Sequence, residues 1–142
     1  MLRKFLVATM FVAPATVYAA NEIAVCGQSV TEFFTPLVEK RLIVKKPYRV
    51  SESSINHFKP NFLANMTAYG MPVVGVFGYT DNPLFFEKRG ISTQDVYGVV
   101  VKEGLANTLA QLDSVGVADA RALRLDSRRT VILCKGEMHE NY

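Results

Sequence analysis

Few residues in this 142-residue chain could carry chemistry: it has two histidines, His57 and His139, and two cysteines, Cys26 and Cys134. Ser53 and Ser54 lie just before His57, which raises the prospect of a hydroxyl nucleophile with an imidazole base. Such a pair needs hydrogen-bond geometry and oxyanion donors beside it, which residues this close in sequence rarely present, and no Gly-x-Ser-x-Gly elbow occurs. The glycines Gly70 and Gly75 have the spacing of a P-loop frame, yet Val76 and Phe77 stand where the phosphate-binding Lys and the magnesium-binding Ser or Thr must be. The glycines also lack the strand-to-helix setting of a dinucleotide fingerprint. No group of His, Cys and carboxylates has metal-ligand spacing. Thirteen acidic residues leave a glycosidase-like carboxylate pair open in space, and nothing more specific points to catalysis. The expectation is a protein that is not an enzyme and that holds no cofactor and no metal.

The cysteines have a different reading. An even count in an exported chain argues for a Cys26–Cys134 disulfide, and the absence of a C-x-x-C spacing argues against a redox-active pair. Bridged Cα atoms must come within about 7 Å, so the EIAVCG and TVILCK segments are expected side by side.

Export itself is read from residues 1–19. Arg3 and Lys4 precede an uncharged apolar run over 5–13, and Val17 and Ala19 are placed as cleavage determinants. That run is shorter than the roughly 20 residues of a spanning helix and is followed by Pro14 and Thr16, so a signal peptide cleaved after Ala19 is expected. Lipidation at Cys26 fails because Asn21 and Glu22 break the apolar run, Val25 is branched, and Cys134 would be stranded. Cleavage removes two of sixteen basic residues and none of thirteen acidic ones, leaving a net charge near +1. A near-neutral chain gives little support to nucleic acid or an anionic membrane as partner. The short clusters Lys40-Arg41, Lys45-Lys46, Lys88-Arg89 and Arg128-Arg129 then read as solvated surface. The remaining length suits a single domain over 20–135 with a fraying polar tail at 136–142.

The elements that must position any site are clearest in the second half. Residues 96–102 (VYGVVVK) form an apolar, β-branched run of strand length, which predicts a central strand buried on both faces. Over 103–115 the period becomes helical, with Leu105, Leu109, Leu112 and Val115 expected to face inward and Gly116 expected to cap the end. Residues 121–126 and 129–135 follow as a hairpin, with Leu123 and Leu125 on one face of the first strand. Residues 28–69 are less legible. Ser29 and Glu32 have capping-box form, while Pro36 predicts either a helix broken early or one beginning at Pro36 with Thr35 as its cap. In that case Leu37, Val38, Arg41 and Leu42 would face the core, and one strand is expected within 48–58. The fold class expected is α+β in two layers: a mostly antiparallel sheet, a helix packed on one face, closed by one disulfide.

Residues 69–86 (YGMPVVGVFGYTDNPLFF) read as a core strand over 71–79, a turn at 80–83, and an apolar return. So many rings cannot share one face, and those near the turn are candidates for a partner-binding surface: Tyr79, Asp81, Asn82, Phe85 and Phe86. Asn65-Met66-Thr67 matches a glycosylation sequon. The function expected is a periplasmic or secreted, non-enzymatic binding protein whose partner is another exported protein. An inhibitor or immunity protein acting on a toxin or cell-wall hydrolase is one concrete form. The alternative is a small-ligand carrier or sensor with an apolar pocket between helix and sheet.

Overall fold

The computed structural model describes residues 10–12, 20–82, 85–117 and 119–134. Residues 1–9, 13–19, 83–84, 118 and 135–142 lie outside the described residues, and with them the cleavage and fraying expectations. In chain order the elements are β1 (Asn21–Glu22), α1 (Val30–Glu39), β2 (Arg49–Val50), β3 (Asn56–Phe58), β4 (Met66–Ala68), β5 (Met71–Tyr79), β6 (Val96–Val101), α2 (Leu105–Ser114), β7 (Ala120–Arg124) and β8 (Thr130–Cys134). The sheet runs β1-β4-β5-β6-β8-β7, with β3 also on β5 and β2 on β3. Every pairing is antiparallel except β1 with β4. This is the mostly antiparallel α+β architecture expected, closed by the Cys26–Cys134 disulfide with its Cα atoms 5.1 Å apart. The predicted β7–β8 hairpin and the buried central strand β6 are both present.

Directly opposed residues share a face of an antiparallel sheet, so the register sorts the side chains. One face carries the rows Phe58–Val76–Val99–Ile132–Ala122 and Asn56–Gly78–Tyr97–Cys134–Ala120. The other carries Arg49–His57–Phe77–Gly98–Leu133–Arg121 and Gly75–Val100–Val131–Leu123.

The first face receives the rings of α1. Its capping box is formed, with the Glu32 amide donating to Ser29 Oγ at 3.1 Å and the Ser29 amide donating to Glu32 Oε2 at 2.8 Å. The helix therefore starts at Val30 and runs through Pro36, neither breaking early nor beginning there. The energies explain why. An interior proline costs about 3 kcal/mol, whereas Val30, Phe33, Phe34 and Leu37, at i, i+3, i+4 and i+7, are all buried and contribute roughly 1.5–3 kcal/mol each. Phe33 lies 4.7 Å from the Tyr97 ring, and Phe34 is boxed by Phe33, Phe58 and Phe86 at 5.1, 5.4 and 4.9 Å. Gly78 leaves room for it, since a Cβ there would stand 2.6 Å from Phe34 Cε2. Beyond the helix Leu42 is buried, while Arg41 is exposed and takes a left-handed conformation. Arg41 therefore does not face the core as expected.

Helix α2 lies beside β7 and presents a different face from the one expected. Thr108 and Leu112 are buried, while Leu109 and Val115 are about half exposed. The inward stripe is rotated toward polar residues because their groups are satisfied there: the Thr108 hydroxyl donates to the Gly104 carbonyl at 2.9 Å, and Gln111 donates to the Tyr69 carbonyl at 2.8 Å. Gly116 follows the C-cap at φ +70°, the conformation that a helix-terminating glycine supplies.

Candidate binding groove

The second face of the sheet is open and forms a groove of about 510 Å³, a size within the ordinary range of binding sites. Its floor is Gly75, Phe77, Val100, Val131 and Leu133. One wall is Tyr48, Arg49, Ile55 and His57 from β2 and β3, and the other is Leu123, Leu125 and Arg129 from the β7–β8 hairpin. Phe77 lies down on Gly98, where a Cβ would meet its Cζ at 2.5 Å, so the ring stays in the floor and is only 7% exposed. Leu123 and Leu125 are 36% and 50% exposed and Tyr48 is 58% exposed. These apolar groups are held in water by the fold.

The polar groups are concentrated on one wall. His57 stands across from Phe77, its ring 6.2 Å from that of Phe77 and 6.2 Å from that of Tyr48. Burial, and then the Arg49 guanidinium on the opposed residue of β2, push its pKa below the usual histidine value, so the imidazole is held neutral at pH 7. On the far wall Arg129 is engaged with Asp126 at 2.6 Å. The serines near His57 are committed elsewhere: Ser53 shares a hydrogen bond with Ser51 at 3.0 Å. The Ser54 hydroxyl has the Arg89 and Ile91 carbonyls as acceptors for its one hydrogen and accepts from the Arg89 amide, all within 3.0 Å. Among the described residues no group of three or more His, Cys, Asp or Glu could hold a metal ion. The arrangement can bind an apolar group beside the Arg49 guanidinium, and among the described residues it presents no aligned nucleophile and base.

Of the five residues singled out near the 80–83 turn, Tyr79 and Phe86 are core, 3% and 7% exposed. The Tyr79 hydroxyl donates to Asp81 at 3.0 Å, and the Phe86 ring packs on Phe34. Asp81 is exposed, and Asn82 and Phe85 are half-buried. The returning segment is held by a residue to which sequence reasoning gave no role. Fully buried Asn56 donates to the Ser54 and Glu87 carbonyls and accepts from the Glu87 amide, each at 2.8 Å. The groove was missed as well. Its only sequence signal is the alternation that sets Leu123 and Leu125 on one face, which reads as core until the pairing shows that face open.

The ring layer of Phe33, Phe34, Phe58, Phe86 and Tyr97 occupies the space between α1 and the sheet, so the groove lies on the opposite side from the pocket expected of a carrier. No protein-family model, curated protein or solved structure matches the chain. No helix among the described residues is long and apolar enough to cross a membrane.

Proposed function

We propose that the chain is an exported, non-enzymatic binding protein that receives an apolar, acidic segment of a partner protein in the groove on the open sheet face. An inhibitor or immunity protein acting on a toxin or cell-wall hydrolase is the concrete form of this reading. The single observation carrying it is the set of apolar side chains from both walls, Tyr48, Leu123 and Leu125, held in solvent over an apolar floor. Exposed apolar surface of this kind marks interaction sites. The topology favours an extended occupant: among the described residues β7 ends the sheet and pairs with β8 alone, so a partner strand can pair with its other side while its side chains enter the groove. Exposed Arg49 in the groove wall favours an acidic residue in that segment. The leader-like first nineteen residues and the paired cysteines support export.

The test is capture by the oxidised, leader-cleaved protein from envelope and secreted extracts, compared with the Leu123→Asp/Leu125→Asp variant. One stoichiometric partner, lost by the variant at unchanged urea midpoint, is expected, because exposed substitutions of this type move stability by only about 0.5 kcal/mol. Retention of that partner by the variant, or no partner at micromolar bait, counts against the reading. The groove volume also suits a small apolar ligand, and a thermal shift with a small molecule in place of a captured protein would favour that carrier.

A further inference from the structure

Two loops on the β2–β3 side of the molecule pair into a short ribbon. The Val44 amide donates to the Lys59 carbonyl at 2.9 Å, the Asn61 amide donates to the Leu42 carbonyl at 2.9 Å, and Ile43 bridges Pro60. The Asn61 side chain ties the ribbon further by donating to the Arg41 and Ile43 carbonyls. The turn that follows is closed by the Ala64 amide on the Asn61 carbonyl at 3.0 Å. Its two central residues are Phe62, 99% exposed, and Leu63, 71% exposed. Turn centres favour Gly, Asn, Asp, Pro and Ser for conformational reasons. With its side chain 99% exposed at such a position, Phe62 contributes almost no buried area to the fold.

The ribbon that carries this tip is basic, with exposed Glu39 and Glu22 the acidic residues close to it. The ribbon strands 40–46 and 59–63 contain Lys40, Arg41, Lys45, Lys46 and Lys59, every one exposed, and no acidic residue. Lys59 Nζ also stands 5.1 Å over the ring of exposed Tyr48. The near-neutral total conceals this asymmetry. Apart from these five cations, the leader-cleaved chain has nine basic residues against thirteen acidic ones, so the rest of it carries about −4. The register places Lys40 and Arg41 beside the turn and Lys59, Lys45 and Lys46 further back along the same ribbon, so two short basic clusters that read separately as solvated surface share one ribbon with an apolar tip.

We propose that this tip is a membrane-docking element: Phe62 and Leu63 insert into the interfacial layer of an anionic bilayer while the five cations meet its headgroup phosphates. Charge complementarity selects the occupant. A protruding apolar pair at the end of a basic ribbon matches a flat, uniformly anionic surface, where each Lys or Arg near the headgroups adds attraction and buried apolar area adds the rest. This surface is separate from the groove, with Tyr48 on the border between them.

The chain contains no tryptophan, so Phe62→Trp gives a single fluorescent reporter at the tip. It is mixed with vesicles of phosphatidylcholine alone and of phosphatidylcholine with one quarter phosphatidylglycerol, at about 0.1 M salt, where the screening length is about 10 Å. The expected result is a blue-shifted emission, quenched by brominated acyl chains, on the anionic vesicles only and weakened at 1 M salt. Lys45→Ala/Lys46→Ala should lower vesicle affinity about fivefold per lysine. Phe62→Ser/Leu63→Ser should abolish vesicle co-sedimentation at an unchanged urea midpoint, while Leu123→Asp/Leu125→Asp binds vesicles as wild type does. Unshifted emission on anionic vesicles, equal binding to neutral ones, or undiminished affinity of the lysine variant would overturn the proposal. A shift produced by a soluble protein and not by vesicles would overturn it too, making the tip a protein contact.

Discussion

Gly78 and Gly75 sit three residues apart in β5, and replacing each by alanine should move stability in opposite directions. Neither has a positive φ, so alanine is conformationally allowed at both, and removing glycine from a strand stabilises by roughly 0.5–1 kcal/mol where space permits. At Gly75 space is available, the nearest atoms being Val100 Cβ and Cγ2 at 3.6 Å, an ordinary contact. At Gly78 the new methyl would stand 2.6 Å from Phe34 Cε2 and 2.9 Å from the Val96 carbonyl oxygen, about 1 Å inside the favourable 3.5–4.0 Å carbon–carbon separation in the first case. Neither neighbour can retreat. Phe34 is fully buried among three rings, and Val96 is fixed in the β5–β6 ladder opposite Tyr79. Overpacking of this kind costs about 1–3 kcal/mol, so Gly78→Ala should lose up to about 2.5 kcal/mol net while Gly75→Ala is neutral or gains. Urea unfolding followed by circular dichroism measures both. In the Phe34→Leu background the Gly78→Ala penalty should shrink by about 1 kcal/mol or more, a coupling that identifies the ring as the obstacle. Equal effects of the two glycine variants, or strict additivity with Phe34→Leu, would refute the packing of α1 described above.

Removing the disulfide by Cys26→Ser/Cys134→Ser opens a loop with a sequence separation of 108 residues and should cost up to about 5 kcal/mol by loop-closure entropy. A difference below about 1 kcal/mol in urea unfolding would show that the closed loop restricts the unfolded chain far less than that relation assumes. His57 should give the fold an acid-sensitive slope: its folded pKa is depressed, so the unfolded chain takes up the proton first and stability falls as pH drops below about 6.5. His57→Gln should flatten the urea midpoint against pH between 7.5 and 4.5; parallel curves for the two proteins would contradict that burial and Arg49 disfavour the charged imidazole.

The sequence was most legible where local pattern and tertiary environment agree. VYGVVV could hardly be anything but a buried central strand, and the β7–β8 hairpin and the cysteine pair followed from alternation and count. Legibility failed where a polar group decides the outcome. The inward face of α2 turned toward Thr108 because a hydroxyl can satisfy itself on its own helix, which a hydrophobic stripe does not anticipate. Pro36 seemed decisive as a breaker, yet two phenylalanines on the buried stripe outweigh it. The groove was least visible of all, because its walls come from β2, β3 and the β7–β8 hairpin, far apart in sequence and aligned only by register. Tyr79 and Phe86 could not be told from surface aromatics by counting rings; Phe86 is buried against Phe34 and Tyr79, and the Asn56 clamp holds the returning segment in place.

The glycines of the central strands link packing to binding. Gly78 in β5 admits Phe34 from the helix side, and Gly98 in β6 lets Phe77 lie flat on the groove side. Glycines in neighbouring strands thus allow rings to sit close against both faces of one sheet, where any side chain would lift them. With the first face filled by the α1 rings, the second needs no helix over it: Phe77 seals its own floor at 7% exposure and leaves the apolar walls of Leu123, Leu125 and Tyr48 standing above it. A Cβ at Gly98 would stand 2.1 Å from the Ile132 carbonyl oxygen and 2.5 Å from Phe77 Cζ, so any larger residue there would press on both the β6–β8 ladder and the groove floor. The depth of the binding surface and the packing of the central strands therefore depend on the same absence of a side chain.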